Sequence, residues 1–142
     1  CCLDETESMG VLTELLGRVR DVEMRRALRQ LATDEVRHSR LGWAILAAEH
    51  RRDGTGFLGP LVPAMLEGGM DADLFRPADE ALEDDALLEH GVLPHALKRE
   101  VFTRMLEEVI LPGLEAFGVD AAPARAWLAQ RRSALAGTFT PT

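Results

Sequence analysis

An all-α fold is what this sequence predicts, and three observations predict it. Ala, Leu, Glu and Arg are abundant while tyrosine is absent and β-branched runs are few, a mixture that favours helix over sheet. Apolar residues recur at three- and four-residue spacing from about Cys2 to Leu16 and again from Val22 to His50. Glycine- or aspartate-bearing breaks separate these stretches. At 142 residues the chain can bury the core of one domain and is too short for two.

The first helix ends at Gly17, and Asp21 is a suitable N-cap for the second, which Asp53-Gly54-Thr55-Gly56 stops. So short a connection predicts an antiparallel helical hairpin over residues 1–52. Residues 53–77 read as an irregular crossover with one short helix, because prolines and glycines interrupt every apolar piece. Residues 78–142 read as a helical extension that packs on the same core. Within it, Ala78 to His90 is predicted helical and closes at Gly91. A longer helix is predicted from Pro94 to Phe117 with a kink at Pro112, and a last one covers about Pro123 to Leu135. No internal repeat, low-complexity tract or heptad run long enough for a coiled coil is present.

Charge and composition narrow the function. A net charge of -8 with no basic stripe repels a phosphate backbone, so no nucleic-acid partner is expected. The apolar stretches break well before 18 residues, which predicts no membrane span. Cys1 and Cys2 are the only cysteines; two neighbours make no disulfide framework, and a reduced cytoplasmic setting is the default expectation. The chain opens Cys-Cys-Leu-Asp-Glu, inside a helical pattern and without an initiator methionine, so further sequence upstream is expected.

One face of the second helix carries the chemistry. Met24, Leu28, Leu31, Glu35, His38, Gly42 and Ile45 follow one another at three- or four-residue spacing and form a stripe expected to face the core. A carboxylate and an imidazole occupy its middle, where leucine would be usual. The first helix repeats the anomaly along Cys2, Glu5, Met9, Leu12 and Leu16. Buried carboxylates are costly unless paired or bound to a cation. Measured from the turn, Glu5 and Glu35 lie roughly 18 and 21 Å along their helices, within one helical turn of the same level. They can share a metal ion. Glu-x-x-His alone is a weak signal, because composition gives about 0.4 such pairs by chance in a chain with 14 Glu and 4 His. The force lies in the conjunction of stripe, partner carboxylate and matching height. An imidazole with carboxylates suits iron or manganese.

The run Asp34-Glu35-Val36-Arg37-His38, preceded by Leu28 and Leu31, resembles the Asp-Glu-x-Arg-His signature of ferritin-like di-iron carboxylate proteins. Cys2-Leu3-Asp4-Glu5-Thr6 is similar to the preceding helix in bacterial ferritin-like domain proteins. The likeness covers residues 1 to about 52. Beyond that, Phe57-Leu58-Gly59-Pro60 and the helical tail resemble the carboxy-terminal extension of some of those proteins and carry no metal motif.

The resemblance implies a di-iron or Mn/Fe centre with oxidoreductase chemistry on dioxygen or peroxide, the substrate being an organic molecule or ferrous iron. It implies that Glu5, Glu35 and His38 are metal ligands and that Asp34 is the acid that orients a ligand histidine. A complete site in that family uses two such halves. Here the residues three before His50, His90 and His95 are Ala47, Leu87 and Val92, so no second Glu-x-x-His exists. The missing half is expected either from upstream helices, which makes this the carboxy-terminal half of a four-helix bundle, or from a second copy in a homodimer. A degenerate half that binds no metal is the third possibility. A non-catalytic helical dimerisation or adaptor module is then the competing function.

Several residues have plainer readings beside these. Cys2 reads as a small buried hydrophobe, and His90 as a helix-end imidazole favoured by the dipole. Glu107 and Glu108 read as a solvated face, and Trp43 and Trp127 as packing residues.

Overall fold

The computed structural model describes residues 2–69, 74–77 and 80–137, and every element among them is helical. Helix α1 spans Cys2–Arg18 and α2 spans Val22–Arg52. Asp21 caps α2 as expected, its carboxylate accepting the Met24 amide at 2.7 Å. The hairpin turn is further tied by the Arg25 guanidinium, which donates to the Leu16 and Val19 carbonyls at 2.8 and 2.9 Å. These are end-of-helix acceptors that would otherwise go unmet.

The crossover contains a 3₁₀ turn, Gly56–Leu61, that runs into α3, Val62–Gly69. Pro63 is tolerated because it stands in the first turn of α3, where a missing amide hydrogen is harmless. The acidic segment before Gly91 departs from the expected α-helix. Ala78 and Asp79 lie outside the described residues, and beyond them the chain forms two 3₁₀ stretches, Glu80–Leu82 and Asp85–His90. Asp84 caps the second by accepting the Ala86 amide, and Gly91 closes it at φ 71°, a left-handed conformation suited to glycine. The local cap at Asp84 competes with helix propagation, and Asp85–His90 buries no residue that would reward a regular helix.

Helix α4 spans His95–Met105 with Pro94 as its N-cap, and α5 spans Leu111–Ala116. Between them lies a single π turn, Leu106–Ile110, in which the Leu111 amide reaches back to the Leu106 carbonyl. Sequence placed the irregularity at Pro112 itself; the structure places it in the turn before. Pro112 cannot donate to Glu108 and its ring crowds that carbonyl, so widening the preceding turn relieves the clash without ending the helix. Gly118, at φ 76°, ends α5, and α6 spans Ala122–Gly137.

The tail holds most of the core. Val62, Leu66, Leu74, Phe102, Leu106, Ile110, Leu111, Leu114, Trp127 and Leu128 are buried together, and the hairpin adds only Leu3 and Leu46 to that cluster. Phe75 packs edge-on against both Phe102 and Trp127. A second cluster joins Leu15, Val19 and Leu28 of the hairpin to Leu93 and Val101. Helix α1 is thus sandwiched between α2 and the tail, approaching α4 closely at Gly10, where a Cβ would strike the Met105 side chain. Helix α2 is the outermost helix. Only Leu28, Gly42 and Leu46 of its 31 residues are buried.

Candidate metal centre

The expected core stripe of α2 is split lengthwise. Leu28, Glu35 and Gly42, seven residues apart, turn toward α1, whereas Leu31, His38 and Ile45 form a parallel row about 60° further round the helix. Leu31 and Ile45 are 53% and 51% exposed, which corrects the expectation that the whole stripe is core. Helix α1 is corrected in the same sense. Its buried positions are Leu3, Thr6, Gly10 and Leu15, while Glu5, Met9, Leu12 and Leu16 are half-buried at the α1–α2 seam. The side chain of Cys2 lies outside the described residues.

This arrangement brings Glu5, Glu35 and His38 together. Their ligand atoms all lie within 4.8 Å of one another. His38 Nδ1 is 3.6 Å from Glu35 Oε2 and 3.9 Å from a Glu5 carboxylate oxygen. The two carboxylates are about a quarter exposed and the imidazole is more than half exposed, so the cluster lies at the edge of the helix pair and opens outward. Glu35 Oε2 is itself sealed from solvent and has no hydrogen-bond partner.

The register that aligns the three is set by neutral polar groups that sequence reasoning missed. Thr6 is buried beside Glu5; its hydroxyl accepts the Trp43 indole hydrogen at 3.0 Å and lies 3.2 Å from the Ser39 hydroxyl. Ser39 and Trp43 are four residues apart on α2, so a single threonine pins the helices beside the cluster. The available signal was Ser39 and Trp43 sharing one helix face with no polar partner on their own helix.

The Glu5 carboxyl titrates above its ordinary value. Side-chain hydrogen bonding with Glu35 is the main cause, then burial and the Glu35 charge, with His38 opposing them. A carboxyl raised by its neighbour in this way favours a cation or a shared proton between the two. A divalent ion bound at about 2.1 Å from each ligand accommodates ligand pairs up to about 4.2 Å apart. Both imidazole–carboxylate distances fall inside that limit, and the donor set suits iron or manganese. Asp34 stands apart from the cluster: its carboxylate meets Arg37 at 3.7 Å and Gln30 at 3.5 Å, and no imidazole contact is present among the described residues.

A groove of about 280 Å³ runs over α1 from Lys98 to Leu31 and Glu35, floored by Val11 and Leu12, and gives the cluster an apolar approach. A concavity of about 730 Å³ lies at the α1–α2 turn around Arg18, Arg20 and Asp85, and none of the three residues lines it. Elsewhere the plainer readings hold. Trp127 is buried with its indole hydrogen donated to Glu67, Glu107 pairs with Arg132 on the surface, and His90 is an exposed residue at the end of its 3₁₀ stretch. Among the described residues no helix is long and apolar enough to cross a membrane. No family model, curated protein or solved structure matches this chain.

Proposed function

We propose that Glu5, Glu35 and His38 form one half of a carboxylate-bridged di-metal site of ferritin-like type, binding iron or manganese. The observation that carries this reading is Glu35 Oε2, a buried oxygen without a partner, aimed among two other ligand-type side chains. An orphaned buried acceptor costs free energy in the metal-free protein, and a cation removes that cost. Glu35 and Glu5 would supply carboxylate oxygens and His38 its Nδ1. Such a metal pair supplies redox chemistry toward dioxygen or peroxide, which makes an oxidoreductase the proposed class. The residues of this chain hold the ligands in register through Thr6, Ser39 and Trp43 and line an apolar approach through Leu12 and Leu31.

A second reading, a helical dimerisation or adaptor module without turnover, is favoured by one observation: Leu31, Leu41 and Ile45 form a row of exposed aliphatic side chains along α2. Metal content separates the two. Protein incubated with Fe(II) or Mn(II), desalted and measured by elemental mass spectrometry, is expected to retain about one ion per chain, one half of a di-metal site. Glu35→Ala and His38→Ala should each abolish retention, while Glu89→Ala, on the exposed tail, should leave it intact. Wild-type protein that retains no metal, or variants that retain as much as wild type, would sink the metal reading.

A further inference from the structure

The uncovered row on α2 is a seam with its own pattern. Ala27, Leu31, Asp34, His38, Leu41, Ile45 and Ala48 alternate at spacings of four and three, which is the spacing by which one helix packs lengthwise against another. Leu31, Leu41 and Ile45 are each more than half exposed, and Ala27 and Ala48 are exposed as well. Helix α1 covers the neighbouring row of Leu28, Glu35 and Gly42 and leaves this one open. Three large aliphatic side chains in a line are more than scattered surface hydrophobics.

The seam is also symmetric about its centre. Leu31 and Ile45 each stand seven residues from His38; Asp34 and Leu41 stand four and three away, and Ala27 and Ala48 eleven and ten. A helix of the same sequence laid antiparallel, with a twofold axis at His38, sets Leu31 against the partner's Ile45 and Ala27 against the partner's Ala48. In that direction exposed Glu23 at the start of α2 comes near the partner's Arg51 close to its end, and antiparallel helix dipoles attract. The like-charge meeting of Arg37 with the partner's Arg37 is moderated by Asp34, whose carboxylate lies 3.7 Å from the Arg37 guanidinium.

We infer that a second copy of this chain docks antiparallel on the outer seam of α2, with the twofold axis at His38. The axis then passes beside Glu5, Glu35 and His38, and the two copies together offer four glutamates and two histidines. This completion of the site rests on the metal reading above; the docking itself rests on the seam. The isologous geometry makes one surface serve both subunits.

Sedimentation equilibrium on the metal-free and the Fe(II)- or Mn(II)-loaded chain tests the docking. Twice the 15.6 kDa chain mass is expected on the order of 100 µM, with Leu31→Glu and Ile45→Glu returning the mass to one chain while helical circular dichroism stays unchanged. Orientation is read by disulfide trapping in a Cys1→Ser, Cys2→Ser background. A mixture of Ala27→Cys and Ala48→Cys chains should cross-link, and Ala27→Cys alone should not. A monomer in both metal states overturns the docking and leaves the seam to a different segment or protein. Cross-linking of Ala27→Cys with itself overturns the antiparallel arrangement. A monomer that retains metal removes the docking and spares the metal reading; a seam-trapped dimer that retains none does the reverse.

Discussion

His38 Nδ1 stands 3.6 Å from Glu35 Oε2, and that oxygen is buried with no hydrogen-bond partner. The separation is too long for a hydrogen bond and short enough for two ligands of one ion. A site that spends stability on an unmet acceptor should become more stable when the acceptor is removed. Glu35→Leu is expected to raise the unfolding free energy of the metal-free protein by about 1 kcal/mol, the low end for an unsatisfied group because the carboxylate is partly exposed. The same variant should lose all metal retention. Urea unfolding with and without Mn(II) checks both halves, and a destabilised metal-free Glu35→Leu would show that Oε2 is not a liability.

Thr55 closes the far end of the hairpin against the tail. It is fully buried, and its hydroxyl donates to the Phe117 carbonyl and lies 3.3 Å from His50 Nδ1. Thr55→Val keeps the shape and removes the donor, leaving the carbonyl unmet. A loss of about 1–2 kcal/mol in chemical denaturation is expected, with Thr55→Ser losing less because it keeps the hydroxyl. Equal losses in the two variants would assign the effect to packing instead.

The hairpin, its Asp21 cap and the convergence of Glu5, Glu35 and His38 were legible because helical spacing and a short turn fix them locally. Which row of the α2 stripe would be covered was not legible. Leu28 and Leu31 are both apolar and three apart, and only the position of α1 decides between them. The acidic segment before Gly91 misled because its residues are good helix formers, while Asp84 in its middle caps a shorter turn. Pro112 announced an irregularity, but the π turn lies before it, where the strain can be absorbed. The Thr6–Ser39–Trp43 tie was missed because Ser39 and Trp43 mark a polar face on α2 while nothing in the α1 pattern singles out Thr6 among its neighbours as their partner.

Two glycines in the helical part should respond in opposite directions to the same change. A Cβ on Gly113 would lie 2.6 Å from the Trp43 ring, and an indole held by the Thr6 hydroxyl cannot simply move aside. Gly113→Ala is expected to cost about 1–3 kcal/mol. Gly17, inside the last turn of α1, has nothing within 4 Å of its Cβ position and no positive φ. Gly17→Ala should therefore stabilise by up to about 1 kcal/mol through helix propensity. Thermal unfolding of the two variants beside wild type decides the matter, and a stabilised Gly113→Ala would mean that Trp43 is free to rotate.

Glu7 and Glu14 lie seven residues apart on α1 and should give opposite pH signatures. Hydrogen bonds from Arg104, then Arg18, hold the Glu14 carboxyl below its ordinary value of 4.5. Its stabilising contribution is therefore complete above pH 4.5 and disappears as pH falls through the lowered folded value. Glu14→Gln should unfold at a lower temperature than wild type at pH 7, by the equivalent of about 1 kcal/mol, and the two curves should converge in acid. Burial pushes the Glu7 carboxyl above 4.5, with the Lys98 charge opposing. The folded state then disfavours the ionised form, and the penalty is complete above the raised folded value and gone below 4.5. Glu7→Gln should accordingly unfold at a higher temperature than wild type at pH 7 and lose that advantage as the pH drops. Melting temperatures of wild type and both variants from pH 3 to pH 8 read the two signs directly. A Glu7→Gln curve below wild type at neutral pH would mean that the Lys98 attraction outweighs the burial cost.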